Sequence, residues 1–254
     1  MEILTRKEGA IFILEFNRPQ RKNAITAAMY QALADAMVAA DEDDEVKVLL
    51  IHGSLDAFTA GNDLEDFLQD PPQREDSPVF QFLAQLCRAR KPLVAAVNGA
   101  AVGIGTTLLL HCDLVFVGDK AKFALPFTSL GLVPEAASSF LLPMIAGYQR
   151  AAEVLLLGQP FDAAQAQQLG FVNRVLPPEE VLPAARAAAE KLALLPGKSL
   201  RNTKALLRGG FRQVMEARMA EESRVFKEML TEPAAKEAFA AFLERRKPDF
   251  SGKD

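Results

Sequence analysis

The chain has 254 residues, half of them apolar, enough to bury a large core as one α/β domain or as a core with an appendage. Its 33 acidic and 29 basic residues leave a net charge of −4, mixed in sign along the chain, which argues against a nucleic-acid footprint and against a polybasic membrane patch. With two histidines and two widely separated cysteines, multi-imidazole metal sites, Cys clusters and most His-based nucleophilic catalysis are excluded, leaving carboxylates and backbone dipoles as the chemical tools.

No apolar run reaches the roughly eighteen residues that span a bilayer, and MEILTRKEGA lacks the basic-then-apolar pattern of a signal peptide. A cytoplasmic protein whose mature chain starts at Met1 is expected. His52, ending VKVLLIH, and His111, in TLLLHCD, read as core or edge histidines, and Cys87 and Cys112 as buried free thiols.

In chain order, ILTRKEG and AIFILEFNRP read as two strands joined at Glu8-Gly9. The segment ITAAMYQALADAMVAADED carries Ile25, Met29, Leu33, Met37 and Val38 at helical spacing, with Thr26 as a cap. VKVLLIHG and KPLVAAVNG follow as buried strands. Between them, DPPQREDSP reads as a surface loop separating two helical pieces.

GAAVGIGTTLLLHCD then turns into a helix, and DLVFVGD and AKFALP supply another strand pair, giving a strand, strand, helix pattern that recurs loosely every forty to fifty residues. From Ser138 onward the chain reads as helix after helix. SFLLPMIAGYQRAAEVLLLG forms one unit, and the last segment, FRQVMEARMAEESRVFKEML and onward, forms a long arm. Its apolar face has to dock on the chain's own core or on a neighbouring subunit.

Three segments carry candidate chemistry. FTAGNDL is a small-residue turn leading from a strand to a helix; it lets a ligand approach backbone N–H groups, or it is a plain turn with a cap at Asn62 or Asp63. VNGAAVGIGTT has glycines at 99, 103 and 105, which fit neither a dinucleotide fingerprint nor a P-loop. What remains is a helix start suited to one N–H donor, or glycines that merely pack a helix on a sheet; two such turns together could make an oxyanion hole.

The third is GLVPEAASS, where Glu135 has no Lys, Arg or His near it in sequence. In an apolar pocket its pKa rises and it can accept and return a proton near neutral pH. At the first turn of a helix it would instead be an exposed, structurally favoured acid.

NRPQRKNAI, AFTAGNDL, the stretch KPLVAAVNGAAVGIGTTLLLHCDLVFVGDKAKFALPFTSLGLVPEAASS and GFVNRVLP together resemble the enoyl-CoA hydratase/isomerase (crotonase) superfamily, collinearly along the chain. The resemblance implies an α/β spiral of ββα units over 1–195 and a C-terminal helical region, 196–254, for trimerisation, often as a dimer of trimers. It implies an acyl-CoA thioester substrate, with coenzyme A belonging to the substrate and no separate cofactor or metal.

The resemblance also places the thioester oxygen between the N–H groups of Ala60 and Ile104, the latter replacing a usual Gly. Coenzyme A contacts are implied at Ala60, Gly61, Asn62, Asp63 and Leu64 and, along the pantetheine or phosphates, at Arg21, Lys22 and Ala24. Two Glu positions of the family's hydratases match Thr107 and Phe127, which move no protons. Glu135 matches the single Glu of the peroxisomal-type 3,2-trans-enoyl-CoA isomerases, with Ala136 in place of the usual Gly. A 3-enoyl-CoA to 2-enoyl-CoA isomerase is therefore expected, with a hydratase, another CoA thioester reaction or a non-catalytic acyl-CoA-binding protein as alternatives. Chain-length selection is expected from the Asp66 to Gln81 region, Phe140, Leu141 and the terminal helices.

Overall fold

The hairpin forms as its alternation requires: β1 (Ile3–Glu8) and β2 (Ile11–Phe16) pair antiparallel from Ile3↔Phe16 to Glu8↔Ile11. The computed structural model describes residues 1–69, 71–74 and 76–253. Helix α1 (Ala27–Glu42) follows, its Met29 N–H bonded to Thr26 Oγ1 at 3.3 Å, the cap expected from sequence.

Strands β3 (Val48–His52), β5 (Leu93–Val97) and β7 (Leu114–Gly118) continue the hairpin as a parallel sheet, and β10 (Arg174–Leu176) closes it in the order β1-β2-β3-β5-β7-β10. Every residue of β3 and β5 is buried, as unbroken apolar runs in a two-sided parallel sheet must be. One face packs on the main core. The other is covered by α8 (Pro178–Ala193), whose Val181, Ala185 and Ala189 meet Ile13, Leu50 and Val94.

A second sheet takes the partner strands: β4 (Ala57–Thr59), β6 (Ala100–Val102), β8 (Lys122–Ala124) and β9 (Phe161–Asp162). Here the expectation for DLVFVGD and AKFALP needs correction. They form β7 and β8, but the chain turns between them, with Ala121 N–H bonding Gly118 O, and β8 pairs with β6 rather than with β7. The pairs β3/β4, β5/β6 and β7/β8 thus each send one strand to each sheet, which builds the spiral, whereas the β1–β2 hairpin stays in one. The interval from β3 to β5 fits the expected repeat, whereas that from β5 to β7 is about half of it.

Helices α2 (Leu64–Gln69) and α3 (Pro78–Arg88) are the two pieces flanking the proline-rich segment, two of whose positions, Asp70 and Glu75, lie outside the described residues. Helix α4 (Ile104–Thr107) is one turn that tightens into a 3₁₀ segment at Leu108–His111. The segment expected as one helix after Ser138 divides at Gly147 into α5 (Ser138–Ala146) and α6 (Tyr148–Leu157). After α7 (Ala163–Leu169), β10 interrupts the helical run, and so does β9 before it; at two and three residues both are too short to show a period.

The terminal segment is α9 (Gly197–Gly209), α10 (Arg212–Met229) and α11 (Pro233–Leu243), the arm being divided where Pro233 starts a new helix. It docks on its own chain: α10 packs on α3 and α5, and Met215, Met219, Phe226, Ala235 and Phe239 belong to the main core. Among the described residues no helix is long and apolar enough to cross a membrane.

Candidate active site

The site begins with two loops zipped together. Asn23, fully buried, donates through Nδ2 to Ala57 O (3.0 Å) and Phe58 O (3.1 Å) and accepts from Arg18 N–H (2.8 Å), while Thr59 Oγ1 donates to Asn23 O (2.6 Å). Backbone bonds extend the zip: Ile25 N–H to Gly61 O and Asp63 N–H to Ile25 O, at 2.8 and 2.9 Å. Gly61, at φ +86°, then lies against the next turn; a Cβ there would sit 2.7 Å from Val102 O. Only glycine permits that approach. It sets Asn62 beside the turn that opens α4.

The two turns offer two N–H donors, though not both of the pair expected. Ala60 N–H donates to Lys22 O at 3.0 Å and is therefore occupied. Asn62 N–H, two residues on, has no acceptor among the described residues, and its side chain is fixed by the Tyr30 hydroxyl, which donates to Asn62 Oδ1. Ile104 is the first residue of α4, where helix geometry leaves the N–H without an intrahelical partner. Gly103 before it, at φ +54° and ψ −118°, is a conformation closed to a side chain, and its own N–H is spent on Ala124 O. The free pair is Asn62 and Ile104.

Glu135 lies across the cavity and is 8% exposed. It is not in the first turn of a helix: Ala136 (φ +59°) and Ala137 (φ +55°) are both left-handed and separate it from α5. The small residues around it explain the turn. Ser138 N–H and Oγ both bond Glu135 O (3.0 and 2.6 Å), and the buried His111 donates from Nε2 to Ala136 O at 2.7 Å. Burial drives the His111 pKa down to about 4, so the ring stays neutral, with Nδ1 bare.

Among the described residues no cation reaches the Glu135 carboxylate. Burial, and secondarily the negative charge of Glu222, push its pKa up to about 8. The condition set by the sequence reading, an acid without a partner in apolar surroundings, is met in three dimensions. Its charge in turn reaches the buried Tyr30 phenol, which burial first and Glu135 second hold well above the usual tyrosine value.

Glu135, Asn62 and Ile104 line one cavity of about 470 Å³. Of the residues expected to hold coenzyme A, Arg21, Ala24 and Ala60 through Leu64 line it, whereas Lys22 is exposed and does not. Asp63 is engaged structurally: one oxygen accepts from Arg18 (2.6 Å) and the other caps α2 through Glu65 and Asp66 N–H. Arg21 pairs with Glu65.

The inner wall is aromatic. Phe226 packs edge-on and Phe239 tilted against Phe67, and Phe127 adds to the wall, while Phe242 also lines the cavity but is exposed. The terminal helices therefore do shape the cavity, but Phe140 turns instead to Phe211, and Leu141 to the core. Thr107 is fully buried and does not line the cavity. Among the described residues no cluster of three or more His, Cys, Asp or Glu could hold a metal ion.

Sequence reasoning overlooked Asn23, Tyr30 and Glu222. The last leaves a readable trace: Met215, Met219, Glu222 and Phe226 are the buried positions of α10, so a carboxylate occupies a step of its apolar stripe.

The family profile described as Enoyl-CoA hydratase/isomerase matches residues 6–253. The chain is 34% identical over 253 residues to the 2,3-dehydroadipyl-CoA hydratase of Escherichia coli (strain K12), covering 99% of each protein. It is 35% identical to Enoyl-CoA delta isomerase 2 of Rattus norvegicus, covering 96% of this chain and 64% of the rat protein. The crystal structure of an enoyl-CoA hydratase/isomerase from Pseudoalteromonas atlantica T6c superposes with a TM-score of 0.93 at 38% identity, covering 98% of this chain and 100% of that one. The chain belongs to the enoyl-CoA hydratase/isomerase family.

Proposed function

We propose that this member of the enoyl-CoA hydratase/isomerase family moves the double bond of a 3-enoyl-CoA to the 2-trans position with Glu135 as its single acid–base group. The observation that carries the reading is the buried, cation-free carboxylate of Glu135 in the same cavity as two unsatisfied backbone donors.

The thioester oxygen sits between Asn62 N–H and Ile104 N–H. As Glu135 takes the C2 proton, the electron pair of that C–H bond forms a C1=C2 bond and the carbonyl π pair moves onto the thioester oxygen, giving a dienolate whose charge preorganised donors stabilise most effectively. The double bond shifts to C2–C3 as the same carboxyl returns the proton to C4, so no proton is gained or lost. The reaction needs no activated water, and Phe127, Phe226 and Phe239 in the lining offer water no hydrogen bond.

The alternative of hydration finds less support. The positions that match the hydratase acids are the buried Thr107 and the cavity-lining Phe127, and neither ionises near neutral pH. An apolar acyl chain suits the wall, because Arg21 is the sole cation among the described lining residues and is already paired with Glu65. A trimer or dimer of trimers and a cytoplasmic location belong to the same proposal; exposed Leu156 and Leu157 on α6 and Leu206 and Leu207 on α9 offer apolar surface for assembly.

The test is spectrophotometric conversion of 3-hexenoyl-CoA to 2-hexenoyl-CoA by the wild type and by Glu135→Gln, with hydration of crotonyl-CoA in parallel. Isomerisation that collapses in the variant, with little hydration in either protein, is the expected result. Equal activity in both proteins would return Glu135 to a structural role.

A further inference from the structure

Glu222 is a second buried carboxylate that the mechanism above does not use. It comes from α10, more than eighty residues away in sequence, and reaches the turn that carries Glu135. Its Oε2 accepts from Ala137 N–H at 2.6 Å, and its Oε1 accepts from Ser139 N–H at 2.9 Å and Ser139 Oγ at 2.5 Å. It does not line the cavity, so it touches no substrate.

We propose that Glu222 is a positioning residue that clamps the left-handed Ala136–Ala137 turn and sets a second carboxyl group next to Glu135. The proposal rests on Glu135 being the acid–base group.

Three features converge on it. First, two consecutive alanines in the left-handed region are costly, about 1–2 kcal/mol each, and such a conformation persists only where its surroundings over-determine it. Here His111 fixes the carbonyl of Ala136, and Glu222 fixes the N–H groups on either side of Ser138. Second, Glu222 binds the N–H groups of Ala137, just before α5, and of Ser139 in its first turn, where a carboxylate is favoured by the helix dipole, and the Ser139 hydroxyl donates to it as well. Third, α10 carries Phe226 one turn further, so the same helix that sets the charge also sets the aromatic wall of the cavity.

The other charged or titratable groups around the pair do not cancel its effect. Tyr30 from α1 is neutral, and His111 from the 3₁₀ segment is neutral. Arg21, Asp63 and Glu65 at the cavity lining are engaged with one another or with Arg18. Arg218, one turn before Glu222 on α10, acts on it only at a distance and pairs with Glu221 at 3.5 Å. On α3, Arg88 pairs with Glu216, and Lys227 of α10 lies over Phe80. Burial raises the Glu222 pKa, and the bonds from Ser139 and Ala137 pull against that rise.

The test reads Glu135 itself. Infrared difference spectra of the protonated carboxyl stretch, collected across a pH titration, are compared for the wild type, Glu135→Gln, Glu222→Gln and Ser138→Ala. The wild type should show a band titrating near pH 8 that is absent in Glu135→Gln. In Glu222→Gln its midpoint should fall by on the order of one pH unit, and the rising limb of kcat/KM should move with it. Ser138→Ala loosens the same turn without altering a charge and should leave the midpoint in place.

If Glu222→Gln alone does not fold, the pair is measured in an Ala136→Gly background, where the turn needs less holding. An unchanged midpoint in Glu222→Gln, or equal shifts in Glu222→Gln and Ser138→Ala, overturns the proposal. Failure of the isomerase reading would look different: no isomerisation in the wild type, while the infrared titration and its response to Glu222 persist.

Discussion

The two donor turns are held by bonds made within the first half of the chain, among residues 18–66 and 101–124, whereas the Glu135 turn is held from His111 on one side and from Glu222 on the other. The difference follows from what each supplies. The oxyanion site is made of backbone N–H groups, so it tolerates Ile at 104 and Asn at 62 as long as Gly61 lets the two turns meet and Gly103 keeps its positive φ. The proton carrier is a side chain whose pKa depends on everything packed around it. Geometry can be secured locally; an environment has to be gathered from distant parts of the chain.

The largest effect should come from the environment-dependent half. Glu135→Gln is expected to lower isomerase kcat by about 10²–10⁴-fold. The wild-type kcat/KM should rise with pH through a limb near 8, because proton abstraction needs the carboxylate form. The same group makes a stability prediction of definite sign. A carboxyl whose pKa is higher in the folded protein favours folding fully below its unfolded value of about 4.5 and loses that contribution as pH rises through about 8. Relative to wild type, Glu135→Gln should therefore gain thermal stability as the pH is raised from 5 to 9, measured as the difference in Tm. A constant difference would mean that Glu135 is solvated.

The backbone half is tested at Gly61. A valine there meets Val102 O within 2.7 Å and must also adopt a positive φ, so the two turns separate and Asn62 moves from its place beside Ile104. A loss of about 10²–10³ in kcat is expected, the value of one oxyanion donor. Asn23→Ala acts one layer further out. It strips Ala57 O, Phe58 O and Arg18 N–H of a buried partner and should cost about 2 kcal/mol in urea unfolding, with a smaller loss of activity. If Asn23→Ala lowers kcat as far as the Gly61 variant does, the donor turns are less locally secured than their bonds suggest.

Legibility from sequence follows the same division. The apolar runs of β3 and β5, the capped helix α1 and the glycine-rich turns were readable because each is a local pattern with one period. The exchange of β7 and β8 between sheets was not, since nothing in DLVFVGD or AKFALP names the partner strand. The donor at Ala60 was misplaced by two residues because backbone bonding is invisible in side-chain identities; only the bond from Ala60 N–H to Lys22 O excludes it. Glu135 could be singled out by what its neighbours lack, yet Glu222 could not be joined to it, because the contact spans most of the C-terminal half and is marked only by an acid in an apolar stripe.

The smallest effect, and the sharpest test of where the Glu135 turn gets its shape, is Ala136→Gly. Three terms compete. Holding a residue with a Cβ in the left-handed region costs about 1–2 kcal/mol, which glycine recovers. Glycine loses more backbone freedom on folding, about 0.5–1 kcal/mol, and forfeits one buried methyl, worth about 0.8 kcal/mol, at a position 1% exposed. The sum is near zero, so urea unfolding should place the variant within about 1 kcal/mol of wild type. Because His111 and Glu222 hold the turn by its backbone and not by the alanine side chain, isomerase kcat/KM should stay within a few-fold as well. A loss beyond tenfold would show that the methyl group itself aims the carboxylate, and the clamp would have to be assigned to packing around Ala136 instead of to the hydrogen bonds that cross from α10.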